Sequence, residues 1–281
     1  TEIYTLSLHD ALPISGFLTH LSLSPDGKHL VFIRMASNAQ HDLIELDLET
    51  GKETLLSDER TPARYEGAFY GPVEGTLLIH TDLNADLLHV AVLDLKTNTS
   101  KPLLQAEYEV EAARLSPDRR KLAYSLNIDG GSRIYLLDLD SGKSRKAPLF
   151  DDQPGKLVED YTSNSLTFSP DSRNLAFAYS ASTRPMNIYL WQLEQDCIHA
   201  CTRSSSAAMD MQSLAVPSLI HYPTFDTDPL TGETRRIPAW LYRPAQAEGR
   251  MPVVVVVHGG PEGQFCPNFQ PVVQYFVHQG Y

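Results

Sequence analysis

Short runs rich in β-branched and aromatic residues, each closed by Pro, Gly, Asp or Ser, recur along residues 21–201 and read as strands joined by tight turns. One run is different. Val253, Val254, Val255, Val256 and Val257 follow one another with no polar alternation, the pattern of a strand buried on both faces inside a parallel sheet. Beyond it, Phe269, Val272, Val273 and Phe276 fall at i, i+3, i+4 and i+7 and predict an apolar helical stripe over 268–279. Asn268 is the expected N-cap, Pro271 suits the first turn and Gly280 the end.

Comparing the chain with itself exposes a repeat. LSLSPDGKHLVF (21–32), ARLSPDRRKLAYS (113–125) and LTFSPDSRNLAFAYS (166–180) are one motif, and AFYGPVEGTLLIH (68–80) is a degraded copy. Its prolines, Pro25, Pro72, Pro117 and Pro170, are spaced 47, 45 and 53 residues apart, with an insertion around residues 150–160 in the last interval. A second hairpin follows each copy, and its equivalent residues Asp47, Asp94, Asp138 and Gln192 are spaced 47, 44 and 54 apart. Ser-Pro-Asp-Gly suits a type I turn with Pro at i+1 and Gly at i+3. Two hairpins per unit make four strands, and a period in the forties is that of a β-propeller blade. Four blades therefore occupy residues 16–210. Earlier blades are expected to precede them, and a closed four-bladed propeller is the alternative. A Ser/Ala-rich linker (204–213) leads to two further strands, around 219–228 and 237–245, and then to the valine run, so that 211–281 reads as the start of a second domain.

Composition adds limits. At 281 residues, 42% hydrophobic and 21% charged, the chain is ordinary for a globular protein. Its net charge of −12 argues against nucleic acid or an anionic membrane as partner, and the valine run is far too short to span a bilayer. Residues 1–15 lack a basic n-region and a cleavage site, do not fit the repeat, and read as a non-native leader. Cys197, Cys201 and Cys266 are too few for a disulfide framework. On one strand, Cys197 and Cys201 would stand about 13 Å apart, too far for a bridge or a shared tetrahedral metal. Buried free thiols are expected, and with them a reducing, cytoplasmic compartment, the periplasm being the alternative.

The chemistry sits at His258-Gly259-Gly260-Pro261, directly after the valine run. Two glycines let the backbone turn sharply and bring its N–H groups up to a ligand. Strand, His-Gly-Gly turn and helix is the context of an α/β-hydrolase oxyanion loop, where preorganised donors stabilise the tetrahedral oxyanion of acyl transfer. A tight turn without catalytic duty is the competing reading. The sequence holds no Gly-x-Ser-x-Gly elbow, so neither His221, His258 nor His278 is nominated as a triad base.

Ser-Pro-Asp-Gly blades of a TolB-like kind, followed by YPTFD, RRIPAWLYRP and PVVVVVHGGPEGQF, resemble the prolyl oligopeptidase family of serine peptidases, and most of all its acylaminoacyl-peptidase and dipeptidyl-peptidase-like branches. The resemblance implies a propeller stacked on an α/β-hydrolase domain, with a peptide substrate between them and no cofactor or metal. It implies that the Gly260 N–H is an oxyanion donor beside Gly259. It also implies that His258, standing where other branches place a tyrosine, anchors the turn, and that the Ser, Asp and His of the triad lie beyond Tyr281. Glu262 reads as a solvated charge. Glu109, Glu111 and Arg114 read as a solvated face of an inner strand. A TolB-like binding module and an esterase with an N-terminal extension are the alternative functions.

Overall fold

The computed structural model describes residues 17–58, 60–149, 152–158, 165–205, 209–229, 231–246, 249–260 and 263–281; the leader read at 1–15 lies outside them. The chain divides into two compact units, residues 1–105 and 106–281. The first contains two four-stranded antiparallel sheets. They are built from β1 (Phe17–Leu23), β2 (His29–Ser37), β3 (Gln40–Asp47) and β4 (Glu53–Leu55), then β5 (Tyr65–Tyr70), β6 (Thr76–Thr81), β7 (His89–Asp94) and β8 (Thr99–Leu104). In both, strands pair in chain order, the arrangement of a propeller blade. Val31, Ile33 and Leu43 of the first blade pack with Ala68, Leu77, Ile79 and Leu93 of the second in one apolar core.

The second unit begins with β9 (Val110–Leu115), β10 (Lys121–Ile128), β11 (Gly131–Asp138) and β12 (Lys143–Lys146), a third blade of the same order. The fourth has five strands: β13 (Gly155–Leu157), β14 (Leu166–Phe168), β15 (Asn174–Ala181), β16 (Arg184–Gln192) and β17 (Cys197–Ala200). Both β13 and β14 pair with β15, at Leu157↔Tyr179 and Leu166↔Phe177. The insertion near 150–160 thus divides the inner strand of blade 4 in two. Trp191, fully buried, joins Ile134, Leu136, Leu166 and Phe177 in the core between blades 3 and 4. The Arg145 guanidinium lies 5.0 Å from its ring centroid, and its indole N–H donates to Asp196 Oδ1 (3.0 Å).

The three Ser-Pro-Asp turns superpose in their bonding. In each the serine hydroxyl donates to the aspartate two residues on, Ser24 to Asp26 (2.6 Å), Ser116 to Asp118 (2.6 Å) and Ser169 to Asp171 (2.5 Å). The same oxygen accepts an amide five residues on, from His29, Lys121 and Asn174. The i+3 residue is left-handed in all three, at Gly27, Arg119 and Ser172. In the second hairpins, Asp47, Asp94 and Asp138 each accept from an amide of their own turn.

The last 70 residues depart from expectation. β18 (Ser218–Thr227) and β19 (Thr234–Leu241) form a two-stranded antiparallel sheet by themselves. Among the described residues no strand pairs with the valine run, and Val253, Val255 and Val257 are each more than three-quarters exposed. The expected buried parallel strand is absent because a strand buried on both faces needs flanking strands and covering helices, and none of the described residues supplies them. Among the described residues no α/β-hydrolase sheet is formed. Helix α1 runs Pro271–His278 with Gln270, not Asn268, at the N-cap; Asn268 Oδ1 instead accepts from Gln270 Nε2 (2.9 Å). Its end is as expected. Gly280 N–H donates to Val277 O and Tyr281 N–H to Phe276 O, a Schellman pair closed by the edge-on contact of Tyr281 with Phe276.

Candidate functional site

Residues 258–260 form an exposed bend between the valine run and the segment leading to α1. The His258 Nδ1–H donates to Gly259 O (3.0 Å), so the imidazole holds the turn it belongs to. Gly260 takes φ +116°, a region costly for any residue with a Cβ. A third glycine completes the turn: a Cβ at Gly263 would lie 2.5 Å from Gly259 O and 3.0 Å from His258 Nδ1, so only glycine lets the chain pass this close. The motif HGGPEG carries that signal as a third small residue. At Gly259 a Cβ would meet nothing within 4 Å. Neither Gly259 N–H nor Gly260 N–H has a hydrogen-bond partner among the described residues. Two backbone donors thus lie open in a bend braced by an imidazole and a close glycine contact. Pro261 and Glu262 lie outside the described residues.

Downstream of the bend the chain is fastened to blades 3 and 4 at the turns joining their second and third strands. Asn127 Nδ2 donates to Gln264 Oε1 (2.9 Å), and Phe265 O lies 3.1 Å from where a Cβ would stand on Gly130. Phe269 N–H donates to Ser180 Oγ (3.0 Å). Gln274, 4% exposed, is the buried residue of α1. Its Nε2 donates to Ser182 O (3.1 Å) and Ala215 O (2.9 Å), while its Oε1 accepts from Ala215 N–H (2.9 Å). The expected apolar stripe is covered only in part: Phe269, Val273 and Phe276 are half-buried, but Val272 is 64% exposed. The surface that α1 meets is made of backbone carbonyls and amides, which an amide side chain satisfies and a valine does not.

The other residues weighed in the sequence fall elsewhere. The His221 and His278 side chains have no hydrogen-bond partner among the described residues, and no catalytic pair forms around them. Glu111 is not solvated. It occupies the extra position of a bulge in β9, between the pairs Ala112↔Ser125 and Val110↔Leu126. Its side chain, 7% exposed, is ion-paired with Lys156, while its Oε1 is buried and has no hydrogen-bond partner among the described residues. Burial pushes the Arg114 guanidinium below its ordinary value. The cysteines are free, but Cys201 is exposed and the other two are half-buried; Cys197 lies on β17, the outer strand of its sheet, and Cys201 just past its end. Among the described residues no three His, Cys, Asp or Glu side chains gather as a metal cluster, and no helix is long and apolar enough to cross a membrane. A cleft of about 610 Å³ bordered by Gln153, Arg184, Tyr189, Leu214 and Val216 does not include the 258–260 bend.

No family model matches the sequence, and no curated protein matches it. Solved structures do. The chain is similar to a prolyl endopeptidase studied for inter-domain dynamics in catalysis and specificity, at 16% identity and TM-score 0.74, over 92% of this chain and 36% of that one. It is similar to a puromycin hydrolase at 19% identity and TM-score 0.75, over 94% and 40%. It is also similar to a puromycin-hydrolysing peptidase of Mycobacterium tuberculosis at 17% identity and TM-score 0.74, over 94% and 40%. The chain therefore spans well under half the length of these peptidases. Four-stranded blades in chain order, and a match over nine-tenths of the sequence, give the chain the fold of the β-propeller region of the prolyl endopeptidases and puromycin hydrolases, prolyl oligopeptidase-family enzymes, at low sequence identity.

Proposed function

We propose that this chain supplies propeller blades and the oxyanion turn of a serine peptidase of prolyl oligopeptidase type, which hydrolyses short peptides held between propeller and catalytic domain. The observation that carries the reading is the bend at 258–260. Its two backbone donors have no partner among the described residues, they lie in a chain whose fold is that of such peptidases' propeller region, and the segment directly downstream is tied to the turns of blades 3 and 4. In this role Gly260 N–H donates to the oxyanion as the scissile carbonyl becomes tetrahedral. Gly259 leaves room for the substrate, and His258 keeps the bend closed. The reading also needs a Ser nucleophile, an Asp that orients the imidazole and a His that serves as base and acid, which α/β-hydrolases carry in that order after the oxyanion loop. The chemistry requires no cofactor or metal, and the three free thiols suit a reducing compartment.

The test uses the polypeptide that carries this sequence together with the segment following Tyr281 in its reading frame. A fluorophosphonate probe and a panel of short peptides and aminoacyl amides are offered to it. The proposal expects stoichiometric labelling of one serine and amide cleavage. Peptide binding without labelling or cleavage would make the blades a binding module and overturn it.

A further inference from the structure

We propose that Cys197, His199 and Gln192 form a three-donor site for a soft d10 divalent cation, of which Zn2+ is the type, on the outer edge of blade 4. Strand alternation sets Cys197 and His199 on one face of β17, and the β16–β17 register places Gln192 directly opposite Cys197. Cys197 Sγ lies 3.3 Å from His199 Nε2 and 3.3 Å from Gln192 Oε1, and His199 Nε2 lies 3.0 Å from Gln192 Oε1. The three atoms mark a triangle. A tetrahedral zinc with bonds of about 2.0–2.3 Å holds its ligand atoms about 3.3–3.6 Å apart, so an opening of a few tenths of an ångström turns this triangle into three corners of a coordination shell. The thiol and imidazole protons that now face Gln192 Oε1 give way to the ion. Cys197 releases its proton to solvent and binds as thiolate, while the imidazole stays neutral with its proton on Nδ1. His199 is exposed, which leaves the fourth position to water.

The repeat supplies an independent argument. At the position of Gln192 the other blades carry Asp47, Asp94 and Asp138, each bonded to its own turn. Opposite these stand Lys52, Thr99 and Lys143, and two residues further on come Thr54, Lys101 and Arg145. Only in blade 4 do these two positions become a thiol and an imidazole, and there the aspartate, elsewhere bonded to its own turn, is replaced by an amide whose oxygen faces both. Cys201 is not part of the set: four residues along an extended strand carry it about 13 Å from Cys197, and the cross-strand amide oxygen replaces it as third ligand.

The test is a Cd2+ titration of the 281-residue chain carrying Cys201→Ser and Cys266→Ser, read by the thiolate-to-metal absorption band, with Zn2+ as competitor. One equivalent of Cd2+ should raise the band and release one proton, and Zn2+ should quench it. His199→Ala should weaken binding by at least about tenfold, Gln192→Ala by less, and Cys197→Ser should remove the band, with far-UV circular dichroism unchanged in all three. A chain that shows no band, or binds equally well after His199→Ala, overturns the proposal.

Discussion

Gln274 shows how a single side chain can join the terminal segment to the blades. Its amide makes three hydrogen bonds to the backbone of Ser182 and Ala215 and is nearly sealed from solvent. Replacing it by leucine keeps the volume and strands three buried polar groups. Gln274→Leu should cost about 2–3 kcal/mol, read as a lower urea midpoint, whereas Val272→Ser, at an exposed position of the same helix, should stay within about 0.5 kcal/mol. Equal midpoints for the two would remove Gln274 from this role. The residue was not legible in advance. A glutamine amid valines and aromatics on a helix reads as its wet face, and only the carbonyl-lined turns at 181–184, brought up by tertiary folding, make it the dry one. The His258 contact is of the opposite kind, since Nδ1 reaches no further than the carbonyl of its neighbour Gly259.

Among the elements, the blades were legible because their determinants are local. Ser24, Ser116 and Ser169 make the same bonds in their turns, and short-range turn chemistry can be read from four residues. The divided inner strand of blade 4 was legible only as an irregular spacing, since β13 pairs with β15 through a contact between residues 22 apart, Leu157 and Tyr179. The turns give the protein an acid dependence. The Ser24 and Ser169 hydroxyls and following amides hold Asp26 and Asp171 below the ordinary carboxylate value of 3.8. At Asp118 burial pulls upward, but the Ser116 hydroxyl and Arg120 amide outweigh it. A folded-state value below the unfolded one means that the folded chain binds fewer protons, so the stabilisation is complete above about pH 4 and is lost as pH falls below 3.8. Denaturation midpoints between pH 5 and 3 should fall more steeply in the parent than in a Ser24→Ala/Ser169→Ala variant; parallel curves would contradict this. Trp191→Ala, which empties the middle of the core between blades 3 and 4, should cost about 3–5 kcal/mol, and calorimetry showing less than about 1 kcal/mol would mean that the core closes over the gap.

At the scale of the whole molecule, the valine run is where sequence and structure part most. Five valines report a strand that wants two neighbours, but they do not name them, and the pairing of a parallel strand is non-local. Exposed as it is, the run offers unpaired backbone and apolar side chains, a template for pairing with another chain. Sedimentation of the 281-residue chain should show concentration-dependent association that Val255→Lys/Val257→Lys reduces; a monomer at all concentrations would speak against it. The blades and the bend meet in the proposed role of the 258–260 turn, the stabilisation of a developing oxyanion in a peptidase. Its most direct test is Gly260→Val in the polypeptide extended beyond Tyr281, with far-UV circular dichroism as the check on folding. Turnover should fall by about a hundredfold or more with KM little changed, since the donor acts on the transition state rather than on bound substrate. A folded variant that keeps its kcat would contradict the account.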